Sequence, residues 1–223
     1  MIPAWTYSDV TRRLRSIFEQ TRAHAASDVR LVGLLFSRPT SELAKKEILP
    51  DLDYFHYRSG DDFDIFCAGY SRYGDASGIA VTSDDPPWMF DVRKFVDFQR
   101  DIETRSCWKY NGETDLVLLN ARYDKGRNSG ELDFSSAIVC DIESMIEHKA
   151  INNLHRFFEI LVNYASTSVS KNPAFDLSDE LGLTTGKSVL KARLLAMLPL
   201  GLGDAYLQSE PFAIRDISKL GPR

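Results

Sequence analysis

The chain is expected to fold as an α/β protein around a mixed sheet. Short apolar runs bounded by turn residues alternate with segments of helical periodicity, the pattern of strands linked by helices. The last two apolar runs break that alternation. Only the polar stretch 121–130 separates them, so they are expected to pair antiparallel while earlier strands run parallel. With 223 residues, 43% hydrophobic and 26% charged, the chain can bury a core without a metal or disulfide staple.

Residues 8–25 read as the first helix, because Val10, Leu14, Ile17 and Phe18 form one apolar stripe and Ser8 is a suitable cap. The run RLVGLLF at 30–36 reads as a buried strand. Ser37-Arg38-Pro39-Thr40-Ser41-Glu42 carries hydroxyl caps, an early proline and an early acid, and opens a helix that stops near Pro50. Residues 63–70 read as a strand, and the pattern of Tyr54–Arg58 fits a helix end, a loop or a second strand joined to it by the turn 59–62. Gly78–Thr82 reads as a short strand, Phe90–Thr104 as a helix, and Thr114–Asn120 and Leu132–Asp141 as the last two strands. Asn111-Gly112 signals a turn. Ala150–Ala165 has the clearest helical spacing, and Gly186–Leu198 is expected as a final helix. A core over 1–166 is thus expected, with a C-terminal extension over 167–223 that packs on the core or on a partner and carries a last apolar cluster of Phe212, Ile214 and Ile217.

Charge narrows the function classes. The net charge is −5, and the acidity is concentrated in 41–91, which holds 11 acidic and 4 basic residues, whereas 1–40 holds 6 basic and 3 acidic. That balance argues against a nucleic-acid binder, which needs a clustered cationic surplus. Cys67, Cys107 and Cys140 form no C-x-x-C pair and no zinc spacing, and an odd count suits a reducing compartment. The first twenty residues lack the continuous apolar stretch of a signal peptide, and no apolar run approaches a membrane span. A soluble, cytoplasmic protein without a membrane association is expected.

The order helix, β, α, β, α, β, β, α resembles the thioredoxin-like fold over about 1–166. The resemblance implies a three-layer α/β/α core with a mixed sheet, flanked here by the N-terminal helix and the C-terminal helical extension. In that family a C-x-x-C pair opens the helix after the first strand. The matching stretch here is Ser37-Arg38-Pro39-Thr40, which has no sulfur, and no proline precedes Thr114, where the family places one. What the resemblance implies is therefore a scaffold used for binding rather than for dithiol chemistry.

Aromatic residues crowd 52–73 among acids, and Tyr54, Tyr57, Arg58, Tyr70, Tyr73 and Trp88 are the candidate partner-binding residues, since Tyr, Trp and Arg are enriched at interfaces. Asp61, Asp62 and Asp64 are the candidate metal ligands of an alternative reading, a Mg²⁺-dependent phosphoryl-transfer or nuclease-type enzyme, with Glu113, Asp115 and Asp133 approaching from other strands. A thiol enzyme through Cys67 or Cys107 is a second alternative. Gly182 to Ser188 has three rather than four residues between its glycines and is not a phosphate loop. His56 lies near Arg58 and the acidic turn; the arginines of the first helix form a mildly basic face. The expectation is a non-catalytic adaptor or subunit of a cytoplasmic, bacterial-type complex, binding a protein partner or a second copy of itself. No catalytic residue and no cofactor is assigned.

Overall fold

The computed structural model describes residues 2–21, 29–59, 63–72, 78–124, 126–147, 151–167 and 214–217. It is a mixed α/β fold. The elements in order are β1 (Ile2–Ala4), α1 (Tyr7–Thr21), β2 (Val29–Phe36), a π-helical turn (Ala44–Ile48), α2 (Leu52–Arg58), β3 (Phe63–Ala68), β4 (Tyr70–Ser71), β5 (Ile79–Ala80), β6 (Met89–Phe90), α3 (Val92–Arg105), β7 (Asp115–Asp124), β8 (Ser129–Asp141), α4 (Ile142–Glu147), α5 (Leu154–Thr167) and β9 (Ile214–Asp216).

Six strands form the main sheet in the order β1-β3-β2-β7-β8-β9. β3 lies parallel to β1 and β2, whereas β2–β7, β7–β8 and β8–β9 are antiparallel. The expected antiparallel pairing of the last two long strands is therefore present. Their register slips between Leu118 and Asn120, where Phe134–Ala137 of β8 bulge out of the ladder.

Residues 31–36 of β2 and all of β3 are buried, so both faces of the sheet must be covered. Side chains alternate along β2, which puts Arg30, Val32, Leu34 and Phe36 on one face. On that face Phe36 packs on Phe95 and Phe98 of α3 and on Trp108, at ring separations of 6.1, 5.5 and 4.4 Å. α1 runs beside α3: the Tyr7 backbone N–H donates to Asp101 (3.2 Å), and Arg105 lies 3.8 Å over the Tyr7 ring. α2 and α5 form the other helical pair, through Phe55 against Phe158 at 4.5 Å and Tyr54 stacked on His155 at 4.2 Å.

Local physics explains where the elements differ from expectation. α1 starts at Tyr7 because Thr6, not Ser8, caps it: the Thr6 hydroxyl accepts from the Asp9 N–H (3.1 Å) and donates to the Asp9 carboxylate (2.8 Å). Residues 54–58, which the sequence pattern leaves open, are helix. Leu52 and Phe55 are buried one turn apart, and Tyr54 and Arg58, four apart, both reach Glu159 of α5. The stretch after Ser41 opens as expected, with the Ser41 hydroxyl accepting from the Ala44 N–H (3.0 Å), but widens into π geometry as the Leu49 N–H reaches back to the Ala44 carbonyl (2.8 Å). The strand β7 runs on to Asp124, well into the stretch expected as loop. The strands β1, β6 and β9 and the short helix α4 have no counterpart in the sequence pattern. β9 lies in the extension, where Ile217 is buried and its carbonyl accepts from the Cys107 N–H (2.8 Å). The expected helix at 186–198 lies outside the described residues.

Gly69 joins β3 to β4 and ties three segments together. Its N–H donates to the Ala4 carbonyl and its carbonyl accepts from the Asp91 N–H, both at 2.9 Å. It sits at φ +76°, and a Cβ there would lie 2.7 Å from the Phe95 Cβ and 3.0 Å from the Asp91 carbonyl oxygen. Gly112 shares the positive φ, at +103°, but has open space around it. Gly69→Ala is expected to destabilise the fold by about 3 kcal/mol and Gly112→Ala by only about 1 kcal/mol, because the second carries backbone strain without a clash. Urea denaturation of the two variants measures the difference.

Candidate functional site

A cavity of about 590 Å³ opens where the β1 edge, α1, α2 and the end of β4 meet. Its formation follows from the packing of α1. Val10, Leu14, Ile17 and Phe18 are buried, so the adjacent stripe of Asp9, Arg12, Arg13 and Ser16, spaced three, four and seven residues apart, lies beside the buried one and lines the cavity. Ile2, Pro3 and Trp5 provide an apolar wall. β1 holds them there by pairing Pro3 with Cys67 and Ala4 with Ala68 before the chain turns into α1. From the other side come His56 of α2, Ser71 of β4 and Arg72.

Asp53 fixes the back of this site. Its Oδ1 accepts from the Arg72 guanidinium (2.6 Å) and from the Trp88 indole Nε1 (2.7 Å). Trp88 is fully buried and stands edge-on to His56, with ring centres 5.7 Å apart, while Arg72 lies 6.0 Å over its face. Lys94 lies over the Trp5 ring at 3.3 Å. Three polar atoms of lining residues, Trp5 Nε1, Ser71 Oγ and Arg72 Nε, are shielded from solvent and have no hydrogen-bond partner. The cationic side chains Arg12, Arg13 and Arg72 face one lining carboxylate, Asp9, which is already engaged by Arg12 and Thr6.

The residues singled out by sequence fall into distinct places. Tyr57 is 77% exposed and meets the lining residue His56 edge-on at 5.4 Å. Trp88 lies behind the cavity, and Tyr70 is fully buried against Phe90 at 4.9 Å; neither is on the surface. Tyr54 and Arg58 clamp α2 to α5 through Glu159, with Arg58 Nε 3.1 Å from its Oε1. The Arg58 guanidinium and the Tyr54 hydroxyl hold the Glu159 carboxyl below its ordinary range. Tyr73, Asp61 and Asp62 lie outside the described residues. Sequence reasoning missed Trp5, Ser71 and Arg72. The spacing of Asp9, Arg12, Arg13 and Ser16 was the available signal, since it marks a polar stripe flanking an apolar one.

Asp64 is completely buried on the face of β3 that carries Arg30 across the sheet, with Arg30 Nε 2.8 Å away. Its neighbours do not converge on it. Asp64 is opposite Val32, whereas Asp115 is opposite Phe36, about 13 Å further along the sheet at the usual strand rise. Asp133 lies three strands away and pairs with Arg122 at 3.1 Å. Among the described residues no three His, Cys, Asp or Glu side chains are grouped to hold a metal ion. Cys67 and Cys140 are buried, and desolvation raises both thiols well above their ordinary value; Cys107 is exposed. At the start of the helix after β2, Ser37 is buried and its hydroxyl shares a hydrogen bond with Thr114 (2.9 Å), while Arg38 lies 5.6 Å over Tyr110.

No family model, curated protein or solved structure matches the chain. No helix among the described residues is long and apolar enough to cross a membrane.

Burial pushes the Asp64 carboxyl up to about 6 against the opposing pull of Arg30. A folded-state value above the unfolded one means that the native protein binds this proton more tightly. The group's contribution to stability is thus greatest below about pH 4 and declines as the pH rises to about 6. Asp64→Asn removes that slope: the neutral amide stands in for the protonated acid, so the variant loses less stability relative to the native protein at pH 7 than at pH 4. Replacing both residues, Arg30→Met with Asp64→Leu, restores stability to within about 1 kcal/mol of the native protein. Urea denaturation of the three proteins between pH 4 and 7 tests both expectations.

Proposed function

We propose that this chain is a non-catalytic binding module, an adaptor or subunit, built on a thioredoxin-like scaffold without sulfur chemistry, and that its partner seats on the cavity at the β1 edge. The element order supports the scaffold reading: three neighbouring strands run parallel, the next two antiparallel, and the helices pair as α1 with α3 and α2 with α5. The stretch 37–40, where the resemblance would put the redox pair, carries a buried serine and an arginine instead.

The observation that carries the binding reading is the cavity itself. It is within the size range of ligand-binding clefts, and it combines an apolar wall with cationic groups, while the exposed Tyr57 ring touches its lining residue His56. The groups behind it are held by Asp53, so the walls are preorganised and a partner spends little free energy ordering them.

Peptides selected by display against the full chain are expected to bind it with micromolar dissociation constants. Arg13→Glu and Tyr57→Ala should each weaken that binding by about tenfold or more, because aromatic and arginine side chains dominate interface energetics. Both side chains are exposed, so the melting temperature should not move. Selected peptides that bind the two variants as tightly as the native protein would put recognition elsewhere, and a selection yielding no binder would remove the reading.

A further inference from the structure

We infer that the cavity at the β1 edge recognises an oxyanion, the carboxylate or phosphate of an acidic segment of a partner protein, together with an apolar side chain beside it. This deepens the binding reading above and rests on it.

Charge complementarity is the first support. The protein as a whole carries −5, yet this cavity gathers Arg12, Arg13, Arg72 and His56 around a single carboxylate, Asp9. Asp9 is committed to Arg12 and to the Thr6 hydroxyl, and Asp53 to Arg72 and Trp88. Arg13 is exposed and has no carboxylate within ion-pair distance among the described residues. A concave site of one sign in an oppositely charged molecule concentrates field and attracts the opposite charge.

Hydrogen-bonding capacity points the same way. Trp5 Nε1 and Arg72 Nε can only donate, and the Ser71 hydroxyl can donate as well. Shielded donors without acceptors are uncommon, because each costs free energy that an acceptor would recover. Ser71, only 4% exposed, and Arg72, held by Asp53, both line the cavity. A ligand rich in acceptors and lacking donors, an oxyanion, matches all three. The wall of Ile2, Pro3 and Trp5 takes the neighbouring apolar group, and the cavity is much larger than a lone phosphate requires.

The test is calorimetric and fluorescence titration of the full chain with blocked hexapeptides. One carries paired phenylalanines and glutamates, a second has phosphoserine for glutamate, and a third has glutamine. At least one acidic peptide should bind about tenfold more tightly than the glutamine peptide and lose affinity as salt rises. Arg13→Gln and Ser71→Ala should each weaken the acidic peptide several-fold while leaving the glutamine peptide unaffected. Trp5→Phe should remove most of the fluorescence change. Equal binding of acidic and glutamine peptides, no binding by any, or affinities unchanged in both variants would overturn the inference. Binding of benzoate or phenyl phosphate but of no peptide would overturn the partner assignment, as would tighter binding of a single-stranded oligonucleotide. Display-selected peptides that occupy the cavity yet lack acidic residues would overturn the oxyanion while leaving the binding module standing.

Discussion

Two strands with no solvent-facing side, β2 and β3, set the terms for the rest of the molecule. Each is apolar on both faces apart from the Arg30–Asp64 pair, so each needs helices above and below and strands to left and right. Parallel pairing between them requires a crossover, and the segment 37–62 supplies it with the π-helical turn and α2. The antiparallel β7 closes the other side of β2 without a crossover, which frees the chain to run straight on into β8. Everything at the periphery, including the short β1 and β9, is attached to this frame.

The cavity is a by-product of how that frame is finished. β1 is only three residues long, so it covers only the Phe66–Ala68 end of β3. α2 enters from the crossover and β4 turns in at Gly69, and the space between them is not filled by a large apolar side chain. Asp53 then draws Arg72 and Trp88 together at the rear. A site of this kind is rigid at the back, where buried rings and a shared carboxylate lock the rotamers, and adaptable at the front, where Arg12, Arg13 and Tyr57 reach solvent.

How much of this was legible depended on the range of the forces involved. α1, β2, β3, α3, β7, β8 and α5 were visible because each carries its own periodicity over several turns or pleats. The pattern leaves residues 54–58 open because LDYFHYR suits helix and strand alike, and contacts with Glu159 and Phe158, a hundred residues on, decide the matter. β1 and β9 have three residues each, too few for a pattern, and exist only through their pairing with β3 and β8. At the site the arginine stripe of α1 could be read from spacing. Trp5, Ser71 and Arg72 could not, because each lies in or beside a turn, and tertiary packing alone brings them to one cavity. The aromatic segment was correctly seen as unusual, but Tyr70 and Trp88 proved to be its foundation, and Tyr57 its exposed face.

The free margin of β1 has one more property. The Ala4 carbonyl is turned inward to Gly69, so along this strand it is Pro3 whose main-chain groups look outward, and proline has no amide hydrogen to offer. A foreign strand laid along this border would find a lone acceptor and no donor, so sheet extension and stacking into fibrils cannot begin here. Whatever approaches this side of the molecule has to be gripped by side chains.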